Sequence, residues 1–138
     1  MLLSGNFKGL QHIGLPVSDL ARSREFYGKL GFREVMTAQF ALDGQPGHVA
    51  MMQREAVVVE LYQMPEEYLA DIRARKDGHV DHVAFSVADV DAAYAELKAA
   101  GLAPLEPEPV FLNFWKAGCR FFVILGPDGE RLEFNQIL

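Results

Sequence analysis

The chain repeats itself at a constant offset of 70 residues. Gln11-His12-Ile13-Gly14-Leu15-Pro16-Val17-Ser18-Asp19-Leu20 lies over Asp81-His82-Val83-Ala84-Phe85-Ser86-Val87-Ala88-Asp89-Val90. His12 falls on His82, Val17 on Val87 and Asp19 on Asp89, and Gly31 falls on Gly101 without a gap. Each half also closes on a strand-like run holding one acid: Glu60 within Val57-Val58-Val59-Glu60-Leu61-Tyr62, and Glu133 within Arg131-Leu132-Glu133-Phe134-Asn135. Both halves must therefore run the same plan. Two copies of an early His and a late Glu read as one metal site built from two halves.

The plan is legible along the chain. Residues 10–17 alternate apolar positions and read as a strand. Ser18 or Asp19 caps a helix carrying Ser23, Phe26, Tyr27 and Leu30 at helical spacing, and Gly31 ends it. Residues 33–42 read as a strand, Asp43-Gly44-Gln45-Pro46-Gly47 as a turn, and 48–53 with 56–63 as a hairpin. Residues 65–76 read as a connector helix, with Pro65 at its start and acids in its first turn. The second half repeats this: a strand at 81–87, a helix at 89–100 with Val90, Ala93, Tyr94 and Leu97 on one face, and a stop at Gly101. A short strand at 102–106, an aromatic loop from Phe111 to Gly118, and a hairpin of 119–125 with 130–137 around Gly126-Pro127-Asp128-Gly129 complete it. Each half is thus βαβββ and the class α+β. Module one spans about 8–63, the connector about 65–77, and module two about 80–138 of a single domain of 138 residues.

Strand parity makes the His and Glu residues a group. Ile13, Leu15 and Val17 share one face, and His12, Gly14 and Pro16 the other. Val83, Phe85 and Val87 likewise oppose His82, Ala84 and Ser86. Glu60 faces away from Val57, Val59 and Leu61, and Glu133 away from Leu132 and Phe134. All four ionisable side chains project from the face opposite the packing residues. Burying two carboxylates there is unfavourable without a counter-charge, which a divalent cation supplies. Histidine is 4 of 138 residues, so a chance match at the symmetric position has odds of about 3%. His48 and His79 have no such match and read as loop or surface residues. Arg22 and Arg24 read as an exposed helix face, and Cys119 as a packing residue.

Composition excludes other classes. A formal charge of −6 without a Lys/Arg run argues against nucleic-acid binding. No apolar run approaches the roughly 20 residues of a membrane helix. The N-terminus lacks signal-peptide character, and a single cysteine excludes an internal disulfide and suits a reducing cytoplasm.

With these residues in place the chain resembles the vicinal oxygen chelate superfamily: glyoxalase I, methylmalonyl-CoA epimerase, extradiol dioxygenases, and the fosfomycin- and bleomycin-resistance proteins. The resemblance rests on His12 through Leu20, Ser23-Arg24-Glu25-Phe26-Tyr27 with Leu30-Gly31-Phe32, Asp81 through Val87, and Gly126 through Phe134. It implies two βαβββ modules forming a curved, cup-shaped sheet around a metal site. The set His12, Glu60, His82 and Glu133 looks like that of glyoxalase I, since an epimerase of this family usually carries Gln where Glu60 stands. The resemblance thus implies a lyase or isomerase acting on the hemithioacetal of a 2-oxoaldehyde and a thiol cosubstrate through a metal-bound enediolate. It makes Glu133 the base and Glu60 its carboxylate partner, with nickel, cobalt, zinc or manganese as the metal. Apart from the resemblance, Trp115 and Phe111, with Phe114, either line a pocket for the small-molecule substrate or cover the open end of the core, and Asn113 and Tyr62 are further candidate substrate contacts. The resemblance also implies a homodimer, in which sites often lie between modules of different chains. Alternatives are an Fe(II) dioxygenase or fosfomycin-type thiol transferase, using His12, His82 and Glu133, and a metal-free drug-binding protein.

Overall fold

Both copies of the repeat fold as βαβββ in the computed structural model, which describes residues 1–29, 31–75, 80–125 and 131–138. Module one comprises β1 (Phe7–Pro16), α1 (Leu20–Lys29), β2 (Arg33–Leu42), β3 (Gln45–Arg54) and β4 (Val57–Gln63). Its strands lie in the order β2-β3-β4-β1, antiparallel except for β1, which runs parallel to β4. A 3-10 turn (Glu66–Tyr68) and a short helix α2 (Leu69–Ala74) follow. Module two comprises β5 (His82–Val87), α3 (Val90–Ala99), β6 (Val110–Leu112), β7 (Cys119–Leu125) and β8 (Arg131–Ile137), in the order β5-β8-β7-β6 with β5 parallel to β8.

Packing divides the chain into His12–Asp81 and a second unit of His82–Leu138 with Met1–Gln11. The N-terminal residues join the second unit for local reasons. Leu3 is buried in its core, the Leu3 amide donates to Glu96 Oε1 at 2.7 Å, and Asn6 exchanges two hydrogen bonds with the Asp89 backbone.

The repeat extends to the helix ends. Asp19 Oδ1 accepts from the Arg22 amide and Asp89 Oδ1 from the Ala92 amide, both at 2.9 Å. A second pair of caps comes from the last strand of each module: Gln63 Oε1 accepts from the Leu20 amide at 2.7 Å, and Gln136 Oε1 from the Val90 amide at 3.0 Å. These side chains satisfy amides that a helix start leaves without an internal partner. Gly31 and Gly101 end the helices with φ of +85° and +81°, where a Cβ is disfavoured. Asp89→Ala should cost about 1 kcal/mol, read as a lower urea midpoint with an unchanged slope.

Strand parity holds in both cores, except that Val57, at the start of β4, is exposed. In module one Met52, Val59 and Leu61 pack with Ile13, Leu15, Val17, Leu20, Tyr27 and Phe32. In module two Val87, Val90, Ala93, Leu97, Phe122, Ile124 and Phe134 pack with Phe85, Tyr94 and Leu132. Arg120 of β7 makes a two-pronged ion pair with Asp91 of α3, and the guanidinium holds that carboxyl below its ordinary value.

Four expectations are corrected. The β2–β3 turn is two residues, Asp43 (φ +49°) and Gly44 (φ +76°), so 45–47 belong to β3. Both positions take the positive φ of a tight hairpin, which needs no longer loop. His48 is accordingly a half-buried strand residue opposite Gln63, not a loop residue. Residues 102–106 form only a bridge between Pro104 and Ile124. Prolines at 104, 107 and 109 lack the amide a ladder needs, so edge pairing shifts to Val110–Leu112 and takes Phe111 out of the expected loop. The connector is a 3-10 turn and six helical residues, ended where Arg75 turns extended (φ −65°, ψ 129°). His79, the Lys76-Asp77-Gly78 stop and the Gly126–Gly129 turn lie outside the described residues.

Candidate metal centre

The parallel pairing of first and last strands sets each His beside its Glu. In module one β1 and β4 pair with Gly14 opposite Glu60. His12 stands two residues earlier on the same face, and its Nε2 lies 3.4 Å from Glu60 Oε2. Gly14 puts no side chain between them. The residue opposite Glu60 on β3 is Met51, and His12 and Glu60 are 2% and 8% exposed. Module two repeats this. Ala84 of β5 and Val123 of β7 lie opposite Glu133, and His82 Nε2 lies 3.5 Å from Glu133 Oε2. Glu133 is 8% exposed.

These two pairs fit a divalent cation. Two donors each about 2.1 Å from a tetrahedral ion stand roughly 3.4 Å apart, close to both separations found. Imidazole with carboxylate suits zinc, nickel, cobalt, manganese or iron. The apolar neighbours Met51 and Val123 leave each carboxylate poorly solvated, a state that a cation relieves.

One contact was missed in sequence. Asn135, two residues beyond Glu133 on the same face and 3% exposed, donates from Nδ2 to Glu133 Oε1 at 2.7 Å. The i, i+2 parity that grouped the other residues was the available signal. At the same place in module one, two beyond Glu60, stands half-buried Tyr62.

The expected substrate residues are scattered over module two's far edge, apart from Tyr62. Phe111 is exposed on β6, where its ring covers Gly118 and leaves no room for a Cβ there. Asn113 is exposed. Trp115 is half-buried with φ +65°, and its indole Nε1 is buried with no hydrogen-bond partner among the described residues. Phe114 beside it is core. Arg22 and Arg24 lie on an exposed face, and Cys119 is buried on β7, as expected. No described helix is long and apolar enough to cross a membrane.

A His–Glu couple on each of two βαβββ modules matches the plan of a known superfamily. Residues 9–134 match the model of the Glyoxalase/Bleomycin resistance protein/Dioxygenase superfamily, and the chain belongs to that superfamily. No curated protein matches it significantly. Among solved structures it is similar to methylmalonyl-CoA epimerase from Mycobacterium tuberculosis, at 23% identity and TM-score 0.78, covering 100% of this chain and 93% of that one. It is also similar to a variant of the Streptomyces coelicolor methylmalonyl-CoA epimerase in complex with 2-nitronate-propionyl-CoA, at 25% identity and TM-score 0.74, covering 94% of this chain and 97% of that one. The expectation of glyoxalase I as the nearest relative is thus not matched by these neighbours, which are epimerases.

Proposed function

We propose that the protein is a metal-dependent lyase of the glyoxalase I kind, acting on the hemithioacetal of a 2-oxoaldehyde and a small thiol. The observation that carries this reading is the second carboxylate: Glu60 stands 3.4 Å from His12 just as Glu133 stands 3.5 Å from His82. His12, Glu60, His82 and Glu133 would together hold one ion of nickel, cobalt, zinc or manganese. When bound, that ion supplies Lewis-acid neutralisation of the charge that grows on two neighbouring substrate oxygens. Glu133 takes the carbon-bound proton and returns it to the adjacent carbon, general acid–base work that a positioned carboxylate performs. Glu60 supplies the second carboxylate as ligand and as partner in proton transfer. His12 and His82 act as neutral donors. Trp115, Phe111, Asn113 and Tyr62 select the substrate.

A second reading is epimerisation beside the carbonyl of an acyl-CoA thioester. The likeness to the Streptomyces coelicolor epimerase, at 25% identity, favours it. Both reactions move a proton at a carbon next to a carbonyl, so one experiment separates them. Metal-loaded protein is given methylglyoxal with a panel of small thiols, and in parallel methylmalonyl-CoA in heavy water. We expect thioester formation in the first arm and no deuterium uptake at the α-carbon in the second. Uptake without thioester formation replaces the first reading with the second, and silence in both arms removes both. The protein is read as a homodimer, so light scattering should give about twice the chain mass of 15.4 kDa. A metal-binding monomer would exclude ligands shared between chains.

A further inference from the structure

We infer that Asn135 is a positioning residue for Glu133, fixing which carboxylate oxygen faces the reaction; this rests on the metal-dependent reading above. Nδ2 of Asn135 donates to Glu133 Oε1 at 2.7 Å and lies 3.8 Å from Cys119 Sγ, so its donors are spent inside the module. Glu133 Oε2, the oxygen left over, is the one 3.5 Å from His82 Nε2. The bond therefore divides the work of the two oxygens: Oε1 is tied back along β8, and Oε2 is presented beside the imidazole.

Asn135 is poorly explained as a stability device. It is 3% exposed, and its Oδ1 is buried with no hydrogen-bond partner among the described residues. An unpaired buried carbonyl is costly, and a leucine, with the same branching at Cγ and no polar atom, would avoid it. The amide cannot turn over to rescue Oδ1, because that would set a carbonyl oxygen against the Glu133 carboxylate. The neighbours across the sheet, Ser86 on β5 and Phe121 on β7, do not need an amide at this place. What the side chain retains at this cost is one charge-assisted bond to the carboxylate, a kind stronger than neutral ones. The repeat is also broken here. Module one carries Tyr62 at the matching position, so an amide two residues on accompanies the carboxylate assigned the proton transfer and a phenol accompanies the other.

The test compares the full chain with Asn135→Leu, using zinc and nickel affinity by chelator competition and, on the loaded protein, kcat and KM for whichever substrate the wild type turns over. We expect a 10–100-fold loss in metal affinity or kcat, the range typical for partners of metal ligands, with KM within about twofold. Unchanged affinity and kcat in a folded Asn135→Leu protein overturns the inference while leaving the metal reading intact. If Asn135→Leu fails to fold, Asn135→Ala carries the same expectation. A conservative partner, Asn135→Asp, keeps the shape but sets a carboxylate against a carboxylate; its loss should exceed that of Asn135→Leu, and an equal or smaller loss would assign the effect to packing. A wild type that binds neither ion overturns the metal reading and this one with it.

Discussion

His12→Ala and His82→Ala should each abolish the rise in melting temperature that zinc or nickel gives the wild-type chain. Free ion at 100 times Kd stabilises a folded protein by about 2.7 kcal/mol, provided the unfolded chain does not bind it. For a chain of this length that is a shift of roughly 6–12 °C. Each imidazole is half of a His–Glu pair with donors 3.4 or 3.5 Å apart, so losing one leaves its carboxylate without the matching nitrogen. The repeat makes the two losses similar, and a full metal response in either variant would show that its histidine does not hold the ion. Glu133→Gln should behave differently. It keeps an oxygen donor and hence some metal, and it loses the base. Turnover should fall by ~10²–10⁴-fold, the usual contribution of a general base. Wild-type turnover in Glu133→Gln would end the base assignment, and a wild type with no metal-dependent shift would end the metal reading.

The four residues of that prediction were legible because strands have a period of two. With 10–17 and 57–62 as strands, parity sets His12 and Glu60 on the face opposite the packing residues, and with 81–87 and 130–137 as strands it does the same for His82 and Glu133. Glycine and aspartate at equal spacing marked the helix ends for the same local reason. What parity cannot report is the partner chosen across a sheet. Asn135 was visible on the face of Glu133, but its donation to Oε1 depends on rotamers. Gln63 and Gln136 as helix caps depend on the end of one strand meeting the start of a helix about 45 residues away in sequence. The edge strand was misplaced because 102–106 holds apolar residues as well as Pro104. Proline spacing moved the pairing to Val110–Leu112, a length too short for periodicity to register.

Phe122→Ala should be the most damaging single change in the core of module two, at about 3–5 kcal/mol. Phe122 is fully buried, stacks on Phe134 at 5.3 Å and 18°, and meets Tyr94 edge-on at 5.2 Å. Phe134 in turn contacts Phe85, which contacts Phe7, so the ring lost is one link of a continuous aromatic row. A loss of this size is a large share of the 5–15 kcal/mol that holds a typical domain together. The site should survive it below the new melting point. Phe134 sits between Glu133 and Asn135 in sequence but on the opposite face of β8, and pairing of β8 to β5 and β7 holds the strand independently of that ring. Added metal should therefore raise the melting temperature of Phe122→Ala as far as that of the wild type. Heat denaturation of both proteins with and without zinc measures this. A variant that loses stability and metal response together would show that the aromatic core, and not strand pairing alone, sets the geometry of the His82–Glu133 pair.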